Sequence, residues 1–162
     1  MPPDVDEGEV AVPEDLLHIA HMKAERVRAV RPAGLVVAAD TGVFRNGRAY
    51  GKPRDLDQAW EMLQALSDGW HSVFTGLIVG AQAGWRKELV ETRVRFRPLT
   101  DGEIRRYLAR EEVLDKAGAY AIQGGAAPFV TRIEGDFFNV MGLPLATLYV
   151  LLLDAGWQPP AG

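Results

Sequence analysis

The sequence predicts a single α/β domain over residues 1–162, with a mixed β-sheet and helices packed on it. Three observations lead there. Apolar residues at Leu16, Leu17, Ala20, Ala24 and Val27 recur with a helical period. Val90, Thr92, Val94 and Phe96 alternate with Glu91, Arg93, Arg95 and Arg97, as in a half-buried strand with a charged outer face. No internal repeat or linker interrupts these segments, and 162 residues suffice for one sizeable core but not for two.

Residues 1–12 are acidic and proline-rich and read as an irregular lead-in. Pro13-Glu14-Asp15 starts the first helix, with carboxylates favouring its dipole, and Pro32 and Gly34 stop it after about Arg31. Leu35–Ala39 is a continuous apolar run, expected as a strand buried on both faces with Asp40 at its carboxyl end. Val43–Tyr50 centres on Asn46-Gly47, a strong hairpin signal. Asp55 and Gln58 form a capping-box pattern ahead of Ala59, Met62, Leu63 and Leu66. Trp70–Val79 and Trp85–Phe96 read as strands joined by a turn at Gly80–Gly84. Thr100 and Glu103 cap a helix carrying Ile104, Tyr107 and Leu108. Residues 111–128 read as a glycine-rich loop and Phe129–Ile133 as a short strand. Pro144 falls in the first turn of a last helix bearing Leu145, Leu148, Leu151 and Leu152.

Charge and composition narrow the function. A formal net charge of −4 argues against general nucleic-acid binding, and the Arg93, Arg95 and Arg97 stripe reads as a solvated strand face. The absence of cysteine removes disulfides, thiolate metal sites and cysteine nucleophiles. The first residues lack the basic and apolar regions of a signal peptide, and the apolar stretch Leu145–Leu153 is too short to span a bilayer. These features together read as a cytoplasmic protein with no membrane partner. Arginine is the default cation, with 14 against four lysines, yet Lys23, Lys52 and Lys116 all fall inside motif-like segments. Lysine can contact a phosphate as a compact point charge.

Several side chains are candidates for chemistry. Asp40, directly after a strand, can ligate a divalent cation or accept a proton from water; it can equally cap the next turn. Lys52, in Gly51-Lys52-Pro53, is rigidly placed for a phosphate or is an exposed loop residue. Lys23 sits beside the apolar stripe of the first helix, as a ligand contact or a boundary lysine. In Lys116–Gly124, glycines allow close backbone approach and Gln123 offers a donor and an acceptor to a base edge. Glu7 lies in the acidic lead-in. His18 and His21 lack a third ligand nearby in sequence, and His71 reads as structural.

In this order and spacing, Ala39-Asp40-Thr41, Gly51-Lys52-Pro53, the run Asp115-Lys116-Ala117-Gly118-Ala119-Tyr120-Ala121-Ile122-Gln123-Gly124 and Gly142-Leu143-Pro144-Leu145 resemble the Maf family of nucleoside-triphosphate pyrophosphatases. Val5-Asp6-Glu7, His21-Met22-Lys23-Ala24, Ser67–Gly76 and Arg132–Asn139 look like further family signatures. The resemblance implies a central ligand cleft and hydrolysis of a nucleoside triphosphate to the monophosphate and pyrophosphate. It implies Asp40 as proton acceptor, Lys52 and Lys23 at the phosphates, Thr41, Gln123 and Lys116 in substrate choice, and Glu7 with Asp40 at Mg²⁺ or Mn²⁺. The Asp-Lys-Ala-Gly-Ala-Tyr-x-Ile-Gln-Gly form resembles the subgroup acting on dTTP and UTP. A homodimer is left open. The alternative role implied by the family's older name is regulatory binding linked to cell division. The family opens with a strand and a Ser-x-Ser-Pro-Arg-Arg loop that these residues do not carry, so an exposed sheet edge or apolar patch is expected near Asp40. Gly42 stands where the family commonly has an apolar β-branched residue, a change expected to loosen a turn.

Overall fold

The computed structural model describes residues 9–162. Helix α1 (Glu14–Val30) begins after Pro13. The Asp15 carboxylate accepts the N–H groups of Ala11 and Val12 at 2.8 and 3.0 Å and so fixes the entry to the helix. Five strands follow the order β2-β1-β3-β4-β5 in one sheet. They are β1 (Val36–Arg45), β2 (Arg48–Tyr50), β3 (Gly69–Ala81), β4 (Gly84–Phe96) and β5 (Val130–Glu134). The other helices are α2 (Leu56–Leu66), α3 (Asp101–Leu108), α4 (Phe137–Val140) and α5 (Leu145–Asp154). The α/β class stands as expected. The mixture of strand directions does not: every pairing among the described residues is antiparallel.

The local signals mostly act as read. Asn46 and Gly47 both take positive φ, 51° and 74°, and place Arg45 opposite Arg48 across a two-residue turn. Asp55 accepts the Gln58 N–H at 2.8 Å, while the Gln58 side chain reaches one residue further back, to the Arg54 N–H. Thr100 and Glu103 form the full reciprocal box. The loop after α3 contains two short 3-10 turns, at Ala117–Ala119 and Ala127–Phe129. Pro144 stands just before α5, at its N-cap, and not in its first turn.

The strand bearing Asp40 departs from expectation. β1 continues through Asp40, Thr41 and Gly42, which pair with Gly76, Thr75 and Phe74 of β3. Asp40 is therefore mid-strand, not at a carboxyl edge, and Gly42 lies in a strand, not a turn. Nor is the apolar run buried on both faces: Val36 is 4 % exposed and Val37 42 %. A Cβ on Gly42 would meet Leu16 of α1 at 3.2 Å, so the glycine makes room for that leucine.

Alternate residues of β1 face different layers. Val36 packs with Ala20 and Ala24 of α1 and with Ile78. Ala39 meets Leu77 and Leu151 on the opposite face. Val43 joins the largest core, with Leu63, Leu66, Phe96, Ile104 and Tyr120. Helix α1 lies so close to β3 that a Cβ on Gly76 would fall 2.6 Å from the backbone of Leu16 and Leu17. β2 covers only Val43–Arg45, so among the described residues Val36–Gly42 pair on one side only.

Candidate active site

Because β1 is pleated, Asp40 and Thr41 emerge on opposite faces of the sheet. Asp40 points toward α1, where its carboxylate accepts a hydrogen bond from the Lys23 ammonium at 2.8 Å. Both side chains keep partial exposure, 17 % and 30 %, so the pair borders solvent and is not sealed in the core. Thr41 points the other way. Its hydroxyl lies 2.8 Å from the Thr75 hydroxyl and donates to the Gly142 carbonyl at 3.3 Å.

A cavity opens beside each face. One, of about 360 Å³, includes Glu9, Asp40, Arg48, Tyr50 and Gln58 in its lining. The other, of about 300 Å³, includes Lys116, Tyr120, Gln123, Met141 and Gly142. Asp40, Thr41, Val43, Lys52 and Ala117 line both. The two are therefore halves of one cleft that passes around the open edge of β1. The rim is fixed where the Gly118 N–H donates to the Gly51 carbonyl at 3.1 Å, tying the glycine-rich loop to the segment carrying Lys52. Gly118 takes φ +69°, and its Cα packs so near Val43 that an added Cβ would sit 3.1 Å from that side chain.

Buried polar contacts support the second half. Asn139 is fully buried, and its amide nitrogen shares its two protons among three acceptors at 3.1–3.2 Å, the carbonyls of Val73 and Val90 and the Thr92 hydroxyl. It thereby holds the α4 segment, and Gly142 beyond it, against the sheet. His71 and Tyr120, 49 residues apart, meet through Nε2 and the phenol oxygen at 2.7 Å. Burial, and then the Arg45 charge, push His71 down to about 3; burial raises Tyr120 far above the ordinary phenol range. Both are thus neutral near neutral pH, a hydrogen-bonded strut behind the loop.

Six sequence candidates are accounted for by this geometry. Asp40, Thr41 and Lys52 line both halves, Lys116 and Gln123 the second, and Lys23 reaches the cleft through Asp40. Glu7 lies outside the described residues. Lys116 Nζ bonds its neighbour Asp115 at 3.2 Å. Sequence reasoning missed Glu9 and Arg48, which carried no motif. It also missed Asn139 as a hub, although this residue closes the segment Arg132–Asn139. Among the described residues no group of three or more acidic or histidine side chains could cage a metal. One or two carboxylates at an open cleft, as with Asp40 and Glu9, suit a hard cation shared with substrate phosphates. No helix among the described residues is long and apolar enough to cross a membrane.

Residues 1–155 match the family model described as Maf-like protein. A dTTP/UTP pyrophosphatase of Carboxydothermus hydrogenoformans is 46 % identical over 161 residues, covering 97 % of this chain and 87 % of the relative. Its namesake from Latilactobacillus sakei is 40 % identical over 154 residues, 93 % and 85 % of the two chains. That from Salinibacter ruber is 48 % identical over 143 residues, 86 % and 70 %. The family model and these relatives show that the chain belongs to the Maf-like protein family.

Proposed function

We propose that the protein is a nucleoside-triphosphate pyrophosphatase that converts dTTP and UTP to the monophosphate and pyrophosphate, working as one domain in the cytoplasm. The observation that carries this reading is the sharing of Asp40, Thr41 and Lys52 by two adjoining cavities. A nucleotide would span both, with its anionic chain in one and its hydrogen-bonding base in the other.

On the α1 side, Asp40 would orient water and accept its proton as the oxygen attacks the α-phosphorus. The bond from the α-phosphorus to the bridging oxygen then breaks, and pyrophosphate leaves with that oxygen. Lys23, held on Asp40 at 2.8 Å, keeps the carboxylate aimed. Lys52, at the junction, offsets charge on the phosphates, a principal means of catalysis in phosphoryl transfer. Asp40, with Glu7, would hold Mg²⁺ or Mn²⁺, which would supply further charge neutralisation. On the far side, Thr41, Gln123 and Lys116 would read the base and position its sugar.

The test is pyrophosphate release from dTTP, UTP, CTP and GTP with Mg²⁺ or Mn²⁺. dTTP and UTP should be the preferred substrates. Asp40→Asn should lower kcat by roughly 10²-fold or more with the fold intact, because a proton acceptor is lost without a change of shape. Gln123→Ala should shift the preference among bases more than the rate. Absence of pyrophosphate release from every nucleotide, or an unchanged kcat in Asp40→Asn, would overturn the assignment.

A further inference from the structure

We infer that Thr75, which does not line the cleft, is a positioning residue that turns Thr41 into a hydrogen-bond acceptor and so selects pyrimidines bearing a ring N–H over cytosine. This rests on the functional reading above.

Proton accounting leads to it. A threonine hydroxyl has one proton and two acceptor lone pairs. Thr75 is fully buried, and its hydroxyl lies near two acceptors, Thr41 Oγ1 at 2.8 Å and the Asn139 carbonyl at 3.5 Å. The second is at the limit of a hydrogen bond and already receives the Gly142 N–H at 3.0 Å. The Thr75 proton therefore goes to Thr41. The Thr41 proton then goes to the Gly142 carbonyl at 3.3 Å. Gly142 holds φ +109° and is anchored through the Asn139 turn, so that carbonyl is a fixed target. One lone pair of Thr41 remains, and Thr41 lines the cavity shared with Gln123 and Lys116. Toward a ligand, the hydroxyl can only accept.

The bases differ at that point. Uracil and thymine carry N3–H, a donor; cytosine carries a bare N3 lone pair at the same ring position. A hydroxyl free to rotate would serve either. A hydroxyl whose proton is already committed satisfies the first and faces the second with an unmatched lone pair. One unmatched polar contact in a desolvated site is worth about tenfold or more in discrimination.

The experiment compares kcat/KM for UTP and CTP, and dissociation constants for their α,β-imido analogues, in the wild type, Thr75→Val, Thr75→Ser and Thr41→Val. Thr75→Val keeps the shape and removes the proton. It should reduce the UTP-over-CTP ratio about tenfold, mainly through better CTP binding, with kcat on UTP within about threefold. Thr75→Ser should restore the ratio. If Thr75→Val does not fold, Thr41→Val, at the partly exposed partner, should collapse the ratio likewise. A wild-type ratio in Thr75→Val, or in Thr41→Val where that must stand in, overturns the inference while leaving the pyrophosphatase assignment intact. A wild type that preferred neither UTP nor dTTP would instead overturn the functional reading, and this inference with it.

Discussion

The two faces of β1 solve different problems with neighbouring residues. On the α1 face, Asp40 and Lys23 form a charged, part-buried pair that borders solvent. On the other, Thr41 ends a buried network in which Thr75, Thr92 and Asn139 are essentially inaccessible. The pair keeps only 17 % and 30 % exposure, so altering it costs more than the roughly 0–1 kcal/mol of an exposed pair and less than breaking a fully buried one. Leaving a buried polar group unpaired costs about 1–3 kcal/mol, so the second face couples recognition to folding. In the proposed reading, chemistry thus lies at a charged pair that borders solvent, and ligand choice at the end of a buried network.

The strongest way to break that contrast is to disturb the α1 face through the backbone. Gly76→Ala puts a methyl group 2.6 Å from the main chain of Leu16 and Leu17, and a helix cannot yield as a flexible side chain can. Helix α1 should move off the sheet and carry Lys23 away from Asp40. Activity should fall by roughly 10²-fold or more, since misplacement of about 1 Å can cost that much. Pyrophosphate release and the unfolding midpoint should be measured together. Near-normal activity would show that the seating of α1 does not position the pair.

Asn139→Ala tests the other face. It removes donors from two carbonyls and a hydroxyl and leaves a void, at a cost of about 2–4 kcal/mol. A urea titration should register this as a lower midpoint with an unchanged slope. A loss below about 0.5 kcal/mol would mean that backbone pairing alone holds α4 and Gly142.

A smaller effect distinguishes the faces by pH. His71 falls from an ordinary 6.5 to about 3 on folding. Its folded state resists protonation that the unfolded chain accepts, so its contribution is complete above about pH 6.5 and is lost progressively as pH falls toward 3. Glu103, held down to about 2 chiefly by Arg97, adds acid sensitivity between 4.5 and 2. His71→Gln should flatten the decline of the urea midpoint between about pH 6.5 and 3, most clearly above 4.5 where Glu103 does not contribute. An unaltered profile would remove His71 as its source.

Legibility in the sequence followed the range of the interactions. Asn46-Gly47, the Thr100–Glu103 box and the alternation in β4 are local, and each appears as read. The cleft residues were found through motif resemblance and their spacing. β1 reads short in the sequence because Asp40 and Gly42 are of types depleted in strands, whereas pairing with Gly76, Thr75 and Phe74 extends it. The His71–Tyr120 strut and the Asn139 hub join positions 47 to 66 residues apart, and no local pattern announces them. The all-antiparallel sheet was equally invisible, because composition does not specify strand direction.

The pleat of β1 gives the site a parity. Asp40 and Thr41 present their side chains to opposite faces of the sheet because they are consecutive and β1 keeps one register, from Val36 opposite Gly80 to Phe44 opposite Ser72. Adding or deleting a single residue between Thr41 and the Asn46-Gly47 turn would exchange the faces, unless a bulge absorbed it, sending the carboxylate toward Gly142 and the hydroxyl toward Lys23. A change of two residues would preserve the faces. The tolerance of this strand to length change is therefore even-numbered: the turn beyond it terminates a hairpin and also sets which side of the sheet carries the Asp40 carboxylate.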